Sequence, residues 1–191
     1  MLIGLCGPEG AGKTTAAKII ARDYGAALVP FARPLKVMLS ALGIPERHLY
    51  GTPEDKAEAL EMLCGKSARH AMRTLGTEWG RECIGAGFWG DLWEQRVIPL
   101  GFVVADDCRF PNEAERIKRL GGHVIRIVRA ETDLAAPPAD AKKKHPSAEH
   151  LAVKADAVVL NYSTPKGLRY RLQDVLIGLG YVLPASTAPA S

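Results

Sequence analysis

The sequence predicts an α/β fold of three layers with a mostly parallel sheet. Three observations predict it. LIGLC (2–6), GFVVAD (101–106), HVIRIV (123–128) and ADAVVLN (155–161) are short apolar runs of the kind that form buried parallel strands. Segments with helical spacing alternate with these runs. A bare glycine loop, GPEGAGKTT (7–15), joins the first strand to the first helix.

In chain order, TTAAKIIARDYG (14–25) reads as a helix closed by a glycine C-cap. ALV (27–29) is a candidate second strand. RPLKVMLSALG (33–43) reads as a helix with proline near its start and glycine at its end, and PEDKAEALEMLCG (53–65) repeats that pattern. SARHAMRTLGTEWGRECIG (67–85) reads as a helix opened by Ser67 as N-cap, weakened by Gly76 and Gly80. FWGDLWEQRVIPL (88–100) continues helical. Residues 31–100 therefore form a helical subregion between the second and third strands. PNEAERIKRLGG (111–122) is a helix with proline in its first turn and early acids. Residues 130–150 are rich in Ala, Pro and charge with no apolar period, which reads as a lid. KGLRYRLQDVLIGLG (166–180) closes a single domain over 1–181, and the tail 182–191 reads as disordered.

The totals bound the function. A chain of 191 residues suits one domain with a real core. A net charge of +4 is too mild for a strong nucleic-acid binder but suits a protein that handles small anions. No basic stripe with interleaved aromatics supports binding to a nucleic-acid polymer. The four cysteines show no zinc spacing and read as reduced thiols of a cytoplasmic protein. The opening apolar run is too short for a signal peptide, and no apolar stretch is long enough to span a membrane.

GPEGAGKT matches G-x-x-x-x-G-K-[ST], with a strand before it and a helix after it. The chemistry explains the residues. Gly7, Gly10 and Gly12 let the backbone of Gly7 to Thr15, Ala11 included, turn its N–H groups toward phosphate oxygens. The helix starting near Lys13 adds its positive dipole end. Lys13 reaches the β and γ phosphates, and Thr14 offers a hydroxyl to Mg²⁺. The fold class is therefore a three-layer P-loop NTPase with a helical acceptor-binding insertion and a lid. It holds a nucleoside triphosphate, ATP or GTP.

VVADDCRFPNE (103–113) places Asp106 and Asp107 at the C-terminal end of a strand, where ligands of open α/β sheets bind. A carboxylate there can hold Mg²⁺, and Arg109 follows closely enough to share the site. Arg33, Arg69, Arg73 and Arg81 lie in the helical subregion, and Arg126 and Arg129 flank the strand leading to the lid. Arginine's fork suits phosphate, and phosphoryl transfer needs cations and placement more than covalent help. Arg69 and Arg73, four apart, share a helix face. Trp79 and Trp89 either stack on a base or fill the core under the helical layer. KKKH (142–145) is a solvated run or a lid element that closes over phosphates.

FARPLK (31–36), KSARHAMRTLGTEWGRECIGAGFW (66–89), DDCRFPNEAERI (106–117), GGHVIRIVR (121–129) and HPSAE (145–149) together resemble the deoxynucleoside monophosphate kinases of tailed bacteriophages, over about residues 1 to 165. The resemblance implies Mg-ATP as donor, a deoxynucleoside monophosphate as acceptor, a mobile lid and often a homodimer. It maps the motif aspartate to Asp107 and the motif arginine to Arg109. It places Arg69, Arg73, Trp79 and Arg81 on the acceptor side, with Arg33, Lys36 and Trp89 as further candidates. Thr14 departs from the aspartate common in the family after the loop lysine.

The mechanism expected is attack of the acceptor phosphate on ATP, with Lys13, Arg109 and Arg129 stabilising the transferring group and adenine near the loop after Asn161. The rivals are another small-molecule kinase of this fold, such as a dephospho-CoA or ribonucleoside monophosphate kinase, and a P-loop ATPase or switch without an acceptor.

Overall fold

The computed structural model describes residues 1–129, 152–162 and 164–182. The expected lid, the KKKH run and nearly all of the expected tail lie outside the described residues. The chain divides into one unit of Met1–Pro30 with Glu94–Ser191 and a second of Phe31–Trp93.

The first unit holds a five-stranded sheet of β1 (Leu2–Cys6), β2 (Ala27–Leu28), β5 (Val103–Ala105), β6 (His123–Val128) and β7 (Ala157–Leu160). Its order is β2-β5-β1-β6-β7, and every pairing is parallel. A parallel sheet needs cover on both faces, which is why β1 and β5 are apolar along their whole length. Ile3, Leu5, Ile125 and Ile127 pack with Ile20 of α1 (Lys13–Tyr24) and with Leu168, Leu172 and Leu176 of α8 (Pro165–Gly178). On the opposite face Gly4 lies against Ile117 of α7 (Pro111–Arg119). The strand order reverses at β1, so β1 ends at the topological switch point, where ligands of such sheets bind.

Tyr181 ties the described end of the chain to the sheet. Its hydroxyl donates to the Leu2 carbonyl at 3.0 Å and lies 2.9 Å from His123 Nδ1, and its ring stacks on Phe102. Burial pushes the phenol up from 10.0 to about 12.

The second unit holds α2 (Arg33–Ala41), α3 (Glu46–Tyr50), α4 (Pro53–Ala57), a small antiparallel pair of β3 (Ala59–Leu60) and β4 (Lys66–Ser67), and α5 (Ala68–Thr74). Its core joins Leu39, Ile44, Leu49 and Ala68. The sequence expected one helix over 53–65, but α4 ends after one turn. Thr52 and Asp55 form a reciprocal capping box at its start, and Glu58 then turns extended. Cys64 and Gly65, at φ 52° and 77°, make the reversal between β3 and β4. Ser67 does cap the next helix, accepting from the His70 N–H at 3.2 Å.

That helix also differs from expectation. Beyond Thr74 it widens into a π-helix over Leu75–Ile84, a form concentrated at functional sites. Gly80 has a packing purpose here, and the carbonyl of Gly76 has a partner. The Trp89 indole N–H donates to the Gly76 carbonyl at 2.8 Å, and a Cβ on Gly80 would overlap the indole ring. Trp89 lies in the first turn of α6 (Phe88–Val97), which is shorter than the 88–100 expected.

Candidate functional site

The loop after β1 is shaped by glycines and pinned from two sides. Gly12 is the N-cap of α1 with φ 102°, and the first turn of α1 carries no acid, which leaves the helix N-terminus free for an anion. From the end of β7, Asn161 Nδ2 donates to the Ala11 carbonyl at 2.8 Å. Its backbone N–H is tied to Val128 at 2.7 Å, so the latch is anchored in the sheet. Lys13 Nζ donates to the carbonyls of Gly7 and Pro8 at 2.8 and 2.6 Å. Burial first, and repulsion by Arg109 second, lower its pKa below 10.5. Arg109 is therefore electrostatically part of the loop's surroundings.

Thr14 and Thr15 are exposed at the start of α1. The Thr14 hydroxyl donates to Asp106 Oδ2 at 2.7 Å. Of the two adjacent acids, Asp106 is thus the one at the loop's hydroxyl, whereas the resemblance pointed to Asp107. Asp107 is half-buried one residue further on. The donor set of Thr14 hydroxyl and Asp106 carboxylate is all oxygen, which suits Mg²⁺ sharing phosphate oxygens. Among the described residues no group of three His, Cys, Asp or Glu side chains forms a metal cage.

Sequence reasoning missed Glu113. This buried carboxylate accepts from the backbone N–H groups of Arg109 and Phe110 at 2.8 and 3.2 Å. On the other side the Cys108 N–H donates to the Leu5 carbonyl at 3.1 Å. Residues 108–110 are therefore fixed to β1 and to α7. The available signal was an acid two residues after Pro111 at the helix start, a position from which side chains reach back to preceding N–H groups.

Arg129 is exposed at the end of β6. Arg126 is buried and donates to the Val153 carbonyl, a structural role.

The other candidates lie in the second unit. Arg33 is exposed at the start of α2, and Lys36 Nζ sits 4.3 Å over the Tyr50 ring. Arg69 and Arg73 are exposed on α5; Arg69 reaches the Pro53 carbonyl at 3.4 Å and Arg73 lies 3.5 Å from His70 Nδ1. Arg81 reaches the Ala86 carbonyl at 3.3 Å. Trp79, Phe88 and Trp89 form one aromatic cluster with centroids 4.7 to 5.9 Å apart. Trp89 is buried at 4% exposure with its N–H satisfied, whereas Trp79 is 39% exposed. Only Trp79 of the two has a surface for a ligand.

A parallel sheet, a strand–glycine loop–helix at its switch point and an oxygen donor pair beside the loop lysine define a P-loop kinase fold. No family model matches the chain. It is 33% identical over 180 residues to a protein of Acanthamoeba polyphaga mimivirus named "Putative deoxynucleotide monophosphate kinase", covering 86% of this chain and 90% of that one. The chain belongs to the deoxynucleotide monophosphate kinase family. Among the described residues no helix is long and apolar enough to cross a membrane.

Proposed function

We propose that the protein transfers the γ-phosphoryl group of ATP to a deoxynucleoside monophosphate, giving a deoxynucleoside diphosphate and ADP. The observation that carries this is the loop itself: Lys13, the Thr14–Asp106 pair and Arg109 surround one helix N-terminus, in a chain of this kinase family.

The loop amides from Gly7 to Thr15 receive the donor phosphates, with Gly10, Ala11 and Gly12 at the turn. Lys13 leaves the Gly7 and Pro8 carbonyls for β and γ oxygens. Thr14 and Asp106 hold Mg²⁺, with Asp107 as the neighbouring acid, and the ion neutralises charge on the transferring group when bound. Asn161 holds the loop at Ala11 while adenine lies beside the segment that follows it. Arg109 and Arg129 place cations at the developing charge. On the acceptor side Arg33, Lys36, Arg69, Arg73 and Arg81 supply cations for the monophosphate. Trp79 offers a face to the base, with Trp89 beneath it as support. A phosphate monoester is already mostly dianionic at neutral pH, its second pKa being about 6, so no general base is needed.

The test is ADP formation with and without a deoxynucleoside monophosphate, in the native protein and in Lys13→Ala. The proposal expects acceptor-dependent turnover that Lys13→Ala abolishes. Substantial acceptor-dependent turnover in Lys13→Ala contradicts it.

A further inference from the structure

We infer that Glu113 is the positioning residue of the phosphoryl-transfer site: its carboxylate sets the backbone at Arg109 and Phe110 and thereby the placement of Arg109 beside Lys13. The inference rests on the kinase reading above.

The geometry is specific. One oxygen, Oε2, accepts both the Arg109 and the Phe110 N–H, at 2.8 and 3.2 Å. Pro111 has no N–H to offer, so these are the last two donors before α7. The carboxylate is 4% exposed, out of reach of competing water. The peptide planes on both sides of Arg109 are thus fixed by one side chain. The Cys108 N–H holds the same stretch to the Leu5 carbonyl from the β1 side. Arg109 itself is exposed, and its charge acts on Lys13. A flexible arginine at a surface contributes little unless its backbone is fixed, because misplacement of about 1 Å can cost a hundredfold in rate.

A helix-dipole role alone makes a different prediction. An acid in the first turn stabilises through its charge and the helix dipole, which an aspartate keeps and a glutamine loses. Positioning depends on an acceptor oxygen at the right reach, which a glutamine keeps and an aspartate, one methylene shorter, loses. Glu113→Gln and Glu113→Asp therefore separate the two roles, and Asp retains the first-turn charge that supports folding.

The experiment measures kcat and KM for ATP and for a deoxynucleoside monophosphate in the native protein, Glu113→Gln, Glu113→Asp, Arg109→Ala and Arg109→Ala/Glu113→Asp. The expected result is kcat within about threefold of native for Gln and reduced about tenfold or more for Asp, with KM for ATP changed much less. In the Arg109→Ala background, Glu113→Asp adds no more than about twofold, because the residue acts through Arg109. Gln slower than Asp overturns the inference and leaves a helix-dipole role, and full additivity with Arg109→Ala overturns it and leaves a purely structural one. A native protein that turns over no acceptor overturns the kinase reading and this inference with it.

Discussion

The loop glycines are not equivalent, and alanine substitutions rank them. Gly7 sits at φ 127°, where an L-residue is strained, and an added Cβ would overlap the Ile127 carbonyl oxygen and lie 3.2 Å from its carbonyl carbon. Ile127 belongs to buried β6, so the neighbour is backbone and cannot turn aside. Strain of about 1–3 kcal/mol and overpacking of about 1–3 kcal/mol give Gly7→Ala a cost of about 4 kcal/mol. At Gly12, φ 102°, the Cβ would overlap Asn161 Nδ2. That side chain can move, at the expense of its bond to Ala11, so the cost is the strain plus about 1 kcal/mol for the lost hydrogen bond. Gly10 shares the strain at φ 78° but an added Cβ meets nothing within 4 Å. Gly10→Ala therefore costs about 1–2 kcal/mol. At about 2–4 °C per kcal/mol for a chain of this size, melting temperatures fall least for Gly10→Ala and most for Gly7→Ala. Asn161→Ala removes the additional term at Gly12, so the pair is non-additive by about 1 kcal/mol. Equal losses at Gly7 and Gly10, or strict additivity of Gly12 with Asn161, refute the packing argument.

Asp106→Asn is expected to raise the Mg²⁺ concentration needed for half-maximal turnover about tenfold or more, and Asp107→Asn less, because Asp106 is the acid at the Thr14 hydroxyl; titration of Mg²⁺ at saturating nucleotide checks this. Trp79→Ala is expected to raise the acceptor KM about fivefold to a hundredfold, at about 1–3 kcal/mol per stacked base, with a smaller effect on melting temperature, since Trp79 is 39% exposed; steady-state kinetics and a melt decide it. Tyr181 is protonated in the fold up to about 12 but ionises from 10.0 when unfolded. Its raised pKa gives stability that is intact below pH 10 and is lost as pH rises toward about 12. Tyr181→Phe is expected to lower stability at neutral pH and to flatten this alkaline decline, read by denaturant titration at several pH values.

The strands and the loop were legible because each is a local statement. LIGLC is apolar on both faces and HVIRIV nearly so, with Arg126 the exception, as strands covered on both sides must be, and the loop's spacing states its chemistry outright. The helix expected over 53–65 failed because the capping box at Thr52 starts a helix without saying how long it runs. Cys64 at φ 52° gives no warning in the sequence that the chain reverses there. The π-helix was illegible for a related reason. Gly76 and Gly80 weaken any helix by propensity, and only the Trp89 indole lying against Gly80 explains why a residue without a Cβ stands there. Two adjacent acids at a strand end point in different directions, so the choice of Asp106 over Asp107 at Thr14 waited for the structure. Glu113 was hidden because its partners are backbone N–H groups, which no side-chain pattern reveals.

The most direct test of the central claim is ADP formation from Mg-ATP with dAMP, dGMP, dCMP and dTMP as acceptors, beside AMP, UMP and dephospho-CoA. The account predicts fast turnover that depends on one or more deoxynucleoside monophosphates and is weaker with the comparison acceptors. Slow ADP release indifferent to every acceptor contradicts it and makes the protein a P-loop ATPase or switch.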